Sequence, residues 1–170
     1  MTPEAYLSAG LFIGAISINS ATVYLQKQHN IYYKLFKAGH RAHCIVLTTA
    51  WLPFFLSLFW LEFSESNVYK IPVVGWLLFL MASMLFWLSY TQIGMDGLTN
   101  KDIFTNKKKK LTGVYKYVPG PMYLSYTLLL LGWGLKSGVA GFYVLSIISV
   151  IGLQIIEAKI ESIPNKNNNS

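Results

Sequence analysis

The sequence predicts an all-α, polytopic transmembrane helical bundle of about five spans, and three observations carry that prediction. Hydrophobic residues make up 54% of the chain and charged residues only 12%, about half the charged share of a soluble domain. The apolar residues gather in blocks of membrane-spanning length, and the short segments between them hold nearly all the charge. The 170 residues have room for one domain, read here as a single transmembrane unit over residues 1–163 and a polar, Asn-rich, disordered tail over 164–170.

The first block, about Ala5 to Leu25, is too long for a signal-peptide core and has no basic residue before it, so it is expected to be retained. The second, His43 to Phe63, contains Pro53, whose missing backbone donor predicts a kink. The third runs from Ile71 to Ile93. The fourth, Met122 to Leu135, has only 14 residues, or about 21 Å of helix against a hydrocarbon core of about 30 Å. Only Lys136, Ser137 and Gly138 separate it from the fifth, Val139 to Ile156, so the last two blocks form a tight hairpin. Aromatic residues cluster at block ends (Trp60 and Phe63, Tyr69 and Trp76, Tyr115, Tyr117 and Tyr123), where amphipathic rings anchor a helix at the membrane interface.

Orientation follows from the basic residues. Of the 14 Lys and Arg, four lie between Gln26 and Ala42, six between Met95 and Pro121, and two after Glu157, whereas Lys70 and Lys136 stand alone in the other loops. The positive-inside bias then places the N-terminus outside and the C-terminus in the cytoplasm. The net charge of +7 belongs at helix ends facing anionic headgroups, which makes membrane lipids the expected partners and excludes nucleic acid. Lys107 to Lys110 reads as a solvated loop of this kind. Cys44 is the sole cysteine, so no disulfide framework or thiolate cluster is available. His29, His40 and His43 lie in or beside one loop with Arg41, the sole arginine, but two or three imidazoles with no carboxylate in that loop make an incomplete metal site, and no metal is assigned. No ionisable residue sits near the centre of a span, which disfavours an ion or proton pathway.

The most informative stretch is Leu111 to Leu135, in which Gly113-x-Tyr115 approaches the membrane and Pro121-x-Tyr123 opens an apolar hairpin. It resembles the membrane methyltransferases typified by isoprenylcysteine carboxyl methyltransferase and phospholipid N-methyltransferase, in which G-x-Y-x-x-x-R-H-P-x-Y-x-G precedes the last hairpin and a Glu-Glu pair follows it. Gly113, Tyr115, Pro121 and Tyr123 match, and Ser125 stands at the place of the final Gly. Gly94 to Leu98 and Phe104 precede the motif as a short amphipathic segment does in relatives, and Ile156-Glu157-Ala158-Lys159 follows it, so the resemblance spans about Ile71 to Glu161. The chain has Pro119-Gly120 in place of Arg-His and Glu157-Ala158 in place of Glu-Glu.

The resemblance implies S-adenosylmethionine as cofactor, entering from the cytoplasmic face, and an isoprenoid or lipid nucleophile reached through the bilayer. The cofactor residues it implies are Tyr115, Pro121, Tyr123 and Glu157. Tyr123 would shape and hydrogen-bond the pocket, Pro121 would set the backbone turn, and Glu157 would face the ammonium group. Asp96 and Asp102 could add polar lining. None of these is a general base, so the catalytic residues stay unknown; methyl transfer from a sulfonium asks mainly for alignment. The departures from the motif also predict an alternative, a catalytically inactive member of the fold serving as a subunit of a membrane complex.

Overall fold

The computed structural model of the protein describes residues 2–32, 39–63, 69–98, 101, 113–118, 120–157 and 159–160, without the side chains of 96–98. Among the described residues there are five helices: α1 (Pro3–His29), α2 (His40–Glu62), α3 (Pro72–Leu98), α4 (Pro121–Ser137) and α5 (Ala140–Ser149), the last continuing in π-helical turns over Val150–Glu157. A single 3-10 turn covers Gly113–Lys116. Four helices among the described residues are long and apolar enough to cross a membrane: Pro3–His29, His40–Glu62, Pro72–Met95 and Ala140–Glu157. The fold is the all-α bundle predicted by the apolar blocks. Lys107 to Lys110, Asp102, Phe104, Pro119, Ala158 and the tail lie outside the described residues.

Local sequence explains the helix ends. Pro3 occupies the first turn of α1, where its missing N–H costs nothing, and Asn30 ends the helix in the left-handed region with its N–H donating to the Gln26 carbonyl at 3.1 Å. α2 runs without interruption through Pro53. α3 continues to the end of its apolar block and breaks at Gly94, at φ 61° and ψ −168°, before a last short helical piece; a side chain would oppose that backbone, and glycine does not.

α4 is short, as its apolar block predicts, and extends slightly beyond that block at both ends. It has 17 residues, about 25 Å of helix, because Pro121 starts it and Lys136 and Ser137 remain helical. The reason is a polar contact the apolar block does not reveal. The Lys136 ammonium lies 4.7 Å and 5.1 Å from the ring centroids of Trp133 and Trp76 and 3.7 Å from the Glu62 carboxylate, and the Trp133 indole N–H donates to the same carboxylate. Gly138, in the left-handed region, then closes α4 with its N–H on the Gly134 carbonyl at 2.7 Å, and the tight α4–α5 hairpin follows.

Helix packing has two parts. In α1 the buried residues Ala5, Ser8, Phe12, Ala15, Ile16, Asn19, Val23 and Gln26 recur every three or four positions, so one stripe faces the bundle. Against it pack α2, through Phe12 stacked on Phe54 with centroids 4.4 Å apart, and α5, through Phe142, Leu145 and Leu153. α3 instead lies along α4, where Gly75 and Gly132 bring the backbones into direct contact: a Cβ on Gly75 would be 2.6 Å from the Lys136 nitrogen, and one on Gly132 would be 2.9 Å from the Gly75 carbonyl oxygen. The remaining surface exposes large apolar side chains such as Leu52, Phe59, Leu80, Met84, Trp87, Ile147 and Ile151, as a lipid-facing surface does.

Candidate functional site

Glu62, Trp133 and Lys136 join α2 to α4 at one end of the bundle. Toward the other end a cavity of about 420 Å³ lies between α2 and α4. Its walls come from every helix. α1 supplies Phe12 and Asn19, α2 supplies Leu47, Thr48, Trp51, Phe54 and Phe55, α3 supplies Ile93, and the 3-10 turn supplies Tyr115. α4 contributes Gly120, Met122, Tyr123, Tyr126 and Leu130, and α5 contributes Leu153 and Glu157. The lining along α2, Leu47 to Leu58, covers eleven residue steps, about 16 Å of depth. That wall is apolar and aromatic, whereas the polar groups Asn19, Tyr115, Tyr123 and Glu157 gather at the end away from Glu62.

Each polar group owes its position to its element. Glu157 ends the π-helical turns of α5 and is only 3% exposed. π-turns are rare, and they are frequent at functional sites; these are held to α4 by Thr127, whose hydroxyl pairs with that of Ser149 at 2.7 Å and accepts from the Gln154 amide at 3.2 Å. Gly152, in the same turns, lets α1 approach, since a Cβ there would meet Cδ1 of Ile16 at 2.6 Å. That close approach brings the Asn19 amide against the carboxylate, and Nδ2 donates to Oε1 of Glu157 at 2.6 Å. A buried carboxylate is costly without such donors. Two turns further along α1, the Lys27 ammonium donates to the Ile160 carbonyl at 3.1 Å, a cation on the last carbonyls of the chain's final described turn.

On the α4 side, Gly120 sits at φ 59° and ψ 51° directly before Pro121. This left-handed residue turns the chain into the helix, whose first bond runs from the Leu124 N–H to the Gly120 carbonyl at 3.0 Å. The turn leaves Tyr123 half-buried on the cavity wall. The helix N-terminus itself faces the cavity through Gly120, Met122 and Tyr123, which biases that region toward negative charge.

Of the four residues predicted for a cofactor site, the structure brings Tyr115, Tyr123 and Glu157 onto one cavity wall although they stand on three separate elements. Pro121 does not line the cavity. It is buried at the start of α4. The histidines do not converge on the cavity: His43 is buried with its ring edge-on to Tyr32, centroids 5.2 Å apart, His40 neighbours Cys44 with Nε2 3.4 Å from Sγ, and His29 and Arg41 are exposed. Tyr32, which follows α1, is itself buried, and burial pushes its phenol above the usual range. Sequence reasoning missed Asn19, Tyr126 and the aromatic wall of α2. Asn19 had a signal, being an amide inside an apolar block on the same stripe as Phe12, Ile16 and Val23.

A family model for phospholipid methyltransferases matches residues 71–163, more than half of the chain. The chain belongs to the phospholipid methyltransferase family. The match coincides with the Ile71 to Glu161 span of the motif resemblance. In this phospholipid methyltransferase family member, an integral membrane protein by its family and its apolar helices, α1 and α2 precede the matched segment, yet they form one side of the cavity. No curated protein and no solved structure matches the chain.

Proposed function

We propose that the protein is a membrane-embedded S-adenosylmethionine-dependent methyltransferase acting on a lipid or isoprenoid nucleophile. One observation carries the reading: Tyr115, Tyr123 and Glu157, the motif residues on three elements, line one cavity whose remaining wall is mostly apolar and aromatic. The cavity's volume falls within the range of small-molecule sites. Its donor set suits the cofactor, with the Glu157 carboxylate for an ammonium group, phenols of Tyr115 and Tyr123 for the polar edges of a nucleoside, and the start of α4 for a carboxylate. S-Adenosylmethionine supplies an already activated methyl group when bound.

The chain's own residues then orient and exclude water. Trp51, Phe54, Phe55 and Leu58 make a dry trough between α2 and α4, suited to an acyl or isoprenoid tail that enters sideways from the bilayer. The polar end would hold the nucleophilic head next to the cofactor, and alignment of the two accounts for most of the rate. The lysine-rich connections lie on the cytoplasmic face in this reading and attract anionic headgroups.

Calorimetric titration of the purified protein in detergent with S-adenosylmethionine tests the proposal. Binding should be measurable and weakened about tenfold or more in Glu157→Gln, the loss of one charge-assisted hydrogen bond. No heat at millimolar cofactor would overturn it. The replacement of Arg-His by Pro119-Gly120 and of the second Glu by Ala158 favours, in that event, the non-catalytic subunit of a membrane complex, which co-purification of a stable assembly would support.

A further inference from the structure

Tyr126 lines the cavity on α4 and occupies none of the motif positions. Three residues, about 4.5 Å along the helix, separate it from Tyr123 at the polar end, and three more lead to Leu129 on the apolar wall. The phenol thus stands where the lining changes from polar to apolar. Its ring lies against Phe86 of α3, with centroids 5.9 Å apart at 57°. Long side chains on a helix lean toward its N-terminus, which directs the hydroxyl to the polar end, and the phenol is near enough to Glu157 to interact with it electrostatically.

Among the described residues the Tyr126 hydroxyl makes no hydrogen bond, and it is not sealed in the interior. Other polar groups of the lining are committed: Asn19 Nδ2 donates to Glu157 at 2.6 Å, and the Thr48 hydroxyl donates to the Cys44 carbonyl at 2.9 Å. A phenol that is largely buried usually has a partner, and one turned toward acyl chains would go unpaired at a cost. Facing the cavity, the hydroxyl meets the polar atom of a ligand instead.

We infer that the Tyr126 hydroxyl receives the nucleophilic head group of the lipid or isoprenoid substrate. The inference rests on the methyltransferase reading above and deepens it by assigning a residue to the substrate side of the site. In that reading the cofactor takes Tyr115, Tyr123 and Glu157, and the tail lies along Trp51, Phe54, Phe55 and Leu58. The reacting head then falls between them, at the level of Tyr126. A phenol both donates and accepts, so it can hold an oxygen or nitrogen head without bringing a charge. Its part is to touch the head and fix its distance from the methyl group, with no proton transfer required of it.

The test titrates the full chain in detergent, by calorimetry, with two probes of equal tail: 1-dodecanol, whose head can hydrogen-bond, and 1-chlorododecane, whose head does so barely. S-Adenosylhomocysteine is titrated separately. The native protein should bind dodecanol about tenfold more tightly than chlorododecane. Tyr126→Phe keeps the ring and its contact with Phe86, so it should weaken dodecanol about tenfold while leaving chlorododecane and S-adenosylhomocysteine within about twofold, and the preference disappears. Equal weakening of both tailed probes would make Tyr126 a packing residue, and weakening of S-adenosylhomocysteine alone would make it a cofactor residue; either overturns the inference. So does unchanged dodecanol affinity in the variant, or a native protein with no preference between the two tails. A native protein that prefers dodecanol but binds no S-adenosylhomocysteine supports the head-group contact and overturns the methyltransferase reading alone.

Discussion

Gly120 holds φ at 59° immediately before Pro121, and a Cβ there would lie 3.2 Å from Cδ2 of Tyr123. Arg-His occupies this place in the motif the chain resembles, so this departure is tied to the backbone and not to the side chain alone. Gly120→Ala should cost about 1–2 kcal/mol, the penalty of the left-handed region, and lower the thermal midpoint in detergent; an unchanged midpoint would show that the turn relaxes freely. Gly120→His should pay the same cost, so grafting Arg-His back is expected to destabilise α4 before it restores any cofactor contact. Glu157 and Asn19 behave differently, because their geometry is set by a 2.6 Å hydrogen bond between two helices. Glu157→Ala should leave the Asn19 amide unpaired on both sides and cost about 1–3 kcal/mol of stability in addition to any loss of ligand, read by the same thermal unfolding.

Among the helices, α3 and α4 depend on two glycines that the apolar blocks do not distinguish from their neighbours. Gly75→Ala would place a methyl group 2.6 Å from the Lys136 nitrogen and 2.7 Å from the Gly132 carbonyl oxygen. Both are backbone atoms, so the helices must separate. A loss of about 1–3 kcal/mol is expected, with faster proteolysis of the connection before α3, whereas Gly10→Ala, with nothing within 4 Å of the added carbon, serves as the neutral control. The length of α4 and the π-turns of α5 belong to the same scale. Neither was visible in hydropathy, since the first depends on Lys136 folding onto two tryptophans and Glu62, and the second on Thr127, Ser149 and Gln154 meeting across a hairpin.

For the whole molecule, the two ends of the bundle are chemically distinct. One carries the Glu62–Trp133–Lys136 lock, the other the polar end of the cavity and most of the described basic residues. The positive-inside bias predicts that the second faces the cytoplasm. On a Cys44→Ala background, a cysteine at exposed Lys70 should react with a membrane-impermeant maleimide in intact cells, and one at exposed Lys116 only after permeabilisation. The reverse pattern would invert the protein and move the proposed cofactor entrance to the other face.

The helices, their order, their approximate ends and the family motif were legible in the sequence, because a bilayer demands that each span satisfy its own backbone hydrogen bonds and stay apolar, and both conditions are local. The places of Tyr115, Pro121, Tyr123 and Glu157 at the ends of their elements were legible for a related reason, since chain and motif change together there. What only the tertiary structure decided is which faces meet. Lipid is as apolar as leucine, so hydrophobicity does not mark the buried side of a membrane helix, and packing through small residues does. Gly152 against Ile16 lets α1 approach α5, and that packing makes Asn19, 138 positions away from Glu157 in the chain, its hydrogen-bond partner.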